Sequence, residues 1–103
     1  MNTNACFNHN FGLMGESDDP GGQLAWLKGV LKTYEASDKS AWIIGNVNPG
    51  SANCNSKWAR RYNAIVRRYQ KVIRMQLFGH ERDDYFQLQW PEGGTMNPFG
   101  VTF

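Results

Sequence analysis

The sequence predicts an α/β fold that ends in an antiparallel tail. Two stretches with helical apolar spacing alternate with two short apolar runs, each closed by a glycine, and the C-terminal stretch then switches to two-residue alternation. A chain of 103 residues with 41% apolar and 14% aromatic residues is one domain or a piece of one, and this composition excludes disorder. No apolar run reaches the ~18–20 residues that a membrane-spanning helix needs.

The first helix is expected over residues 20–36. Asp19 suits an N-cap and Pro20 a first helical position, and Leu24, Trp26, Leu27, Val30, Leu31 and Tyr34 fall mostly on one face. Before it, residues 1–19 are rich in asparagine and read as loop, with a short strand near Ala5–Phe7. Ala41-Trp42-Ile43-Ile44-Gly45 reads as a buried strand over 41–45, followed by a tight loop at Asn46-Val47-Asn48-Pro49-Gly50. A second helix over 56–74 follows from Trp58, Tyr62, Ile65, Val66, Tyr69, Val72 and Ile73.

Met75-Gln76-Leu77-Phe78-Gly79 reads as the next strand, over 75–79. In the strand expected over 84–90, Phe86, Leu88 and Trp90 face one way and Tyr85, Gln87 and Gln89 the other. Pro91–Gly94 breaks it, and a last strand over 99–103 can lie antiparallel beside it. Functional groups of α/β folds sit in loops after the carboxyl ends of strands, which singles out the loops at Asn46 and at His80.

The net charge is only +2, yet seven of the eleven lysines and arginines lie in the 56–74 helix, with no acidic residue between Ser51 and His80. A basic amphipathic helix can bind an anionic membrane surface or RNA. Its aromatics Trp58, Tyr62 and Tyr69 lie on the apolar side, which favours core packing over base stacking and speaks against nucleic acid. His9 in its asparagine-rich loop reads as a surface residue, and Glu81, Asp83 and Asp84 read as a solvated acidic loop or a makeshift oxygen site beside His80. The two cysteines, Cys6 and Cys54, read by themselves as free buried thiols. No positively charged start followed by an apolar stretch marks a secretory leader. A chain starting at Met1 would then be cytosolic, and one cut from mid-domain would carry no such information.

Four stretches, in order along nearly the whole chain, carry a family resemblance. They are Asp19-Pro20-Gly21-Gly22-Gln23-Leu24-Ala25-Trp26-Leu27, Trp42-Ile43-Ile44-Gly45-Asn46-Val47-Asn48-Pro49-Gly50, Arg61-Tyr62-Asn63-Ala64-Ile65-Val66-Arg67-Arg68-Tyr69, and Leu77-Phe78-Gly79-His80-Glu81-Arg82-Asp83-Asp84-Tyr85-Phe86. Together they resemble the acid-sphingomyelinase branch of the calcineurin-like metallophosphoesterases. The resemblance implies that residues 1–103 are a partial domain. They would form the later half of a four-layer α-β-β-α sandwich, with two main helices and about four strands. The parent activity it implies is hydrolysis of a phosphodiester such as sphingomyelin, by two metal ions, usually zinc, that activate a hydroxide and clamp the phosphate oxygens. The parent family is secreted or lysosomal.

The resemblance also assigns metal positions, and the chain departs from most of them. His80 stands at a family histidine ligand. Asn46 stands where the family has a first histidine, and an amide oxygen is a poorer zinc ligand than imidazole. Arg82 stands where the family has a third; a permanent cation cannot ligate, though it can contact phosphate. The family's Asp-x-His, Gly-Asp and Gly-Asn-His motifs are not in these residues, so the general-acid histidine belongs to the earlier half of the domain. Tight zinc binding and turnover by this chain alone are not expected, and an apolar sheet face should stand uncovered. Finally, the resemblance pairs Cys6 with Cys54, a disulfide worth about 2–4 kcal/mol given the long loop it closes.

Overall fold

The computed structural model describes residues 1–13, 18–90, 98 and 100–103. Its elements are helix α1 (Gln23–Ala36), strand β1 (Ala41–Gly45), helix α2 (Ser56–Arg68) and strands β2 (Ile73–Phe78), β3 (Gln87–Gln89) and β4 (Gly100–Thr102), preceded by short 3₁₀ turns at Thr3–Cys6, Phe11–Leu13 and Pro20–Gly22. The fold is α/β, with two helices and one four-stranded mixed sheet in the order β1-β2-β4-β3. β1 and β2 run parallel, as do β2 and β4, and β3 returns antiparallel to β4. The antiparallel tail expected from the alternation is therefore present. The turn expected at Pro91–Gly94 falls outside the described residues, as does Phe99.

The start of α1 shows how local chemistry sets a boundary. Gly21 and Gly22 both take positive φ, near 67° and 64°, which lets a 3₁₀ turn lead into the helix. Asp19 then caps from outside, accepting from the Leu24 amide at 2.8 Å and the Ala25 amide at 3.0 Å. The helix proper begins three residues after the expected start, but its cap is the expected residue. Asn55 does the same for α2, accepting from the Lys57 and Trp58 amides.

Other boundaries move further. The helix expected over 56–74 ends at Arg68, and Ile73 and Arg74 belong to β2. Apolar spacing continues through Tyr69 and Val72 because both side chains still face the core. The backbone leaves the helix at Tyr69 (φ −108°, ψ 25°), and the Val72 carbonyl accepts from the Ala41 amide at 2.9 Å. Pairing with β1 thus claims Ile73 and Arg74 from the end of the expected helix. The strand expected over 84–90 shrinks to Gln87–Gln89, and the short strand expected near Ala5–Phe7 is a 3₁₀ turn; only Phe7 pairs, in an isolated bridge with Cys54.

Both helices cover one face of the sheet. Leu24, Leu27 and Leu31 of α1 and Trp58, Ala59, Tyr62 and Val66 of α2 pack over Ile43, Val47 and Val72. Trp58 lies flat against Tyr62, with centroids 5.7 Å apart and planes 6° from parallel. The opposite face is uncovered: Trp42 is 65% exposed and Ile44 61%. This is the open apolar face expected of a sheet that lacks its partner layer.

Candidate functional site at the strand-end loops

The loops after β1 and β2 meet. Asn46 follows β1, and its carbonyl accepts from the Gly79 amide, just after β2, at 3.1 Å. The two parallel strands end together, which brings Asn46 and His80 to one end of the sheet. A third segment completes the site. The N-terminal 3₁₀ turn docks here: buried Thr3 accepts from the Asn46 amide through Oγ1 at 2.8 Å, and Asn4 accepts from Asn46 Nδ2 through Oδ1 at 3.1 Å.

His80 is half-buried, in the left-handed region at φ 73°, and its ring meets the edge of Phe7 at 5.1 Å. His9 lies on Phe7 as well, at 5.2 Å. The chain's two histidines therefore share one aromatic neighbour, and His9 is exposed, as expected of a surface residue. Arg82 is exposed and again left-handed, at φ 62°. Two such residues in one short loop hold a backbone that non-glycine residues seldom adopt.

Glu81 holds that loop in place. Its carboxylate accepts from the Ser51 hydroxyl and, at 3.3 Å, from Asn53 Nδ2, both in the loop after β1. The Ser51 hydrogen bond, with smaller help from Asn53 and the His80 charge, holds its carboxyl below the ordinary glutamate value. An oxygen site built from Glu81, Asp83 and Asp84 would have to share a carboxylate whose Oε1 is already tied to Ser51 and Asn53. Cys54 lies next in the same loop and is bonded to Cys6, with Cα atoms 4.9 Å apart. The paired reading of the cysteines holds and the free-thiol reading does not. The disulfide, the Phe7 bridge and the Glu81 tie together pin the N-terminal turn, the β1 loop and the β2 loop against one another.

As a zinc site this donor set does not fit. It offers one imidazole packed on Phe7, one amide whose Nδ2 already bonds Asn4, and one guanidinium. Among the described residues no cluster of three or more histidine, cysteine or carboxylate side chains could hold a metal.

The basic residues of α2 are partly spent within the chain. Arg61 pairs with Asp18 at 2.7 Å, and Arg68 grips both oxygens of Glu35 on α1 at 2.9 and 3.1 Å while lying over the Tyr69 ring. Just past the helix, Arg74 donates to Ser40 Oγ at 3.1 Å. Arg68, first by its hydrogen bond and then by its charge, holds Glu35 below the ordinary glutamate value. Sequence reading missed a second polar feature, a cleft of about 410 Å³ lined by Gly50, Asn63, Gln87, Leu88, Gln89 and Trp90. Its signal was available: Gln87 and Gln89 alternate with Leu88, and the amides, not the apolar side chains, turn toward α2.

Curated relatives cover the whole of this architecture. The chain is 38% identical to human sphingomyelin phosphodiesterase over 103 residues, 100% of this chain and 16% of that protein. It is 33% identical over 102 residues to human acid sphingomyelinase-like phosphodiesterase 3b, covering 92% of this chain and 22% of the relative. With sphingomyelin phosphodiesterase B of Dictyostelium discoideum the identity is 29% over 98 residues, 95% of this chain and 15% of the relative. The chain is a relative of the acid-sphingomyelinase-like phosphodiesterases. It spans less than a quarter of the length of each of these three proteins, and no protein-family model matches it. Within this acid-sphingomyelinase-like segment, the joined strand-end loops are the part whose residues the resemblance assigns to metal binding.

Proposed function

We propose that the chain is a partial or degenerate metallophosphoesterase domain, the later half of the α-β-β-α sandwich. Its parent activity is hydrolysis of a phosphodiester such as sphingomyelin, and the chain is inactive alone. The observation that carries this reading is the meeting of the Asn46 and His80 loops, 3.1 Å apart through the Gly79 hydrogen bond, in a chain that aligns with sphingomyelin phosphodiesterases over its full length. The parent site needs the earlier half of the domain, which also supplies the general-acid histidine. In this chain His80 keeps a ligand position, Asn46 is a weak donor, and Arg82 is suited to contact a phosphate oxygen. Zinc belongs to the parent site and is not held tightly here. The Cys6–Cys54 bond suits an oxidising compartment, in keeping with a secreted or lysosomal parent.

The purified chain with added zinc and a bis-aryl phosphate provides the test. No turnover is expected, and calorimetry should register no tight zinc. Zinc-dependent hydrolysis that disappears in His80→Ala would overturn the reading.

A second reading, binding of an anionic membrane through α2, draws on Lys57, Arg60, Arg61, Arg67 and Arg68, all exposed. Vesicles containing phosphatidylserine would bind with steep salt dependence, lost on neutralising these residues. Salt-insensitive or absent binding dismisses it.

A further inference from the structure

The uncovered face of the sheet is continuous across all four strands. Strand register places Trp42 and Ile44 of β1 beside Met75 and Leu77 of β2, and Leu88 of β3 beside Val101 of β4. Gln76 and Thr102 pair with each other and are buried, so their neighbours Leu77 and Val101 turn to the open side. Phe86, Trp90 and Phe103, each one residue beyond a strand end, continue this alternation in sequence and are 63%, 52% and 49% exposed. None of these side chains is charged.

With aromatic side chains carrying ~150–250 Å² each, the open area on this face is on the order of 700 Å². That is above the ~300–600 Å² of the largest patch on an ordinary monomer and close to the ~800 Å² per partner of a stable interface. Much of the chain's basic charge lies elsewhere. Lys57, Arg60, Arg61, Arg67 and Arg68, five of its eleven lysines and arginines, are on α2, which covers the other face of the sheet, and Arg74 of β2 is turned to Ser40, just before β1. An anionic membrane meeting the apolar face would meet none of α2's basic residues, so the electrostatic half of interfacial binding would be missing. A second copy needs no such charge, because an uncharged face brings no like-charge conflict when it meets itself across a two-fold axis.

We propose that the chain self-associates through this face, two copies stacking their sheets so that the two helix layers lie outside. Aligned sheets pack about 10 Å apart with interdigitating side chains, and an uncharged face of aromatic and aliphatic side chains fits that geometry. The inference rests on the sheet's register and exposure. It concerns this chain by itself, because the partner layer of the proposed sandwich would occupy the same face.

Sedimentation of the full chain at micromolar concentration tests it. The expected particle is twice the 11.7 kDa chain, dissociating on dilution. Ile44→Asp should weaken the dimer by about tenfold or more while the circular dichroism spectrum is kept. Trp42→Ser is a milder second variant at a 65% exposed site and should weaken it in the same direction. Trp26→Ser, on the outer side of α1, should leave it unchanged. A wild-type chain that stays monomeric overturns the proposal. So does association that grows without limit, that ignores both β1 substitutions, or that needs anionic vesicles.

Discussion

Gln76 donates from Nε2 to Gln89 Oε1 at 2.8 Å, passing over Gly100 of the strand between them. A Cβ at Gly100 would sit 2.3 Å from that oxygen and 3.0 Å from that nitrogen, so the absence of a side chain there opens the path. The relay extends both ways: Tyr62 donates its hydroxyl to Gln76 Oε1 at 2.6 Å, and Gln89 Nε2 donates to Asn63 Oδ1 at 3.0 Å. It ties both ends of the β2-β4-β3 stack to α2. Burial pushes the Tyr62 phenol well above its usual range, so it remains a donor at any ordinary pH.

Gln76→Leu should therefore cost about 1–3 kcal/mol, because it leaves a buried tyrosine hydroxyl without an acceptor. Adding Tyr62→Phe to that variant should recover part of the loss by removing the stranded hydroxyl. Urea unfolding of the two single variants and the double variant measures the coupling. Strictly additive losses would show that the relay does not act as a unit.

Replacing Cys6 and Cys54 by serine should lower stability by about 2–5 kcal/mol. The bond spans a sequence separation of 48 and anchors the N-terminal turn that holds Asn46. The thermal midpoint with and without reductant should differ for the wild type and not for the double serine variant.

Glu81 should contribute a pH-dependent increment of stability. Its folded value lies below the ordinary 4.5, so the increment is complete above that value and is lost as pH falls through the lowered one. Glu35 titrates in the same direction through Arg68, so the informative quantity is a difference between variants. The thermal midpoint of the wild type should fall more steeply with acidification than that of Glu81→Gln. Parallel curves would show that the tie to Ser51 and Asn53 contributes nothing.

The pair Asn46→His and Arg82→His should raise zinc affinity about tenfold or more over the wild type. It adds two imidazoles to His80 and removes a cation from the loop. Calorimetric titration at neutral pH reads the change, and His80→Ala in the same background should abolish the gain. Unchanged affinity would mean that the two loops do not present their side chains to one point.

Much of this architecture was legible from short-range patterns. Apolar spacing located both helices, glycine-ended apolar runs located β1 and β2, and Asp19 announced a cap that it does provide. The end of α2 was not legible, because Tyr69 and Val72 stay on the buried face whether the backbone is helical or turning. Nor was the N-terminal turn's part in the site. The contacts of Thr3 and Asn4 with Asn46 span more than forty residues, and no local pattern reports such a distance.

The sequence by itself determined the alternation of helices and strands, the family likeness, and the chemistry of the ligand positions. Those follow from residue type and order, which need no coordinates. Only the tertiary structure decided that the Asn46 and His80 loops touch, that Glu81 is tied to Ser51 and Asn53, and that amides rather than apolar side chains of β3 turn toward α2. These are outcomes of competition between distant partners, and the winner is set by which groups the sheet brings within hydrogen-bond reach.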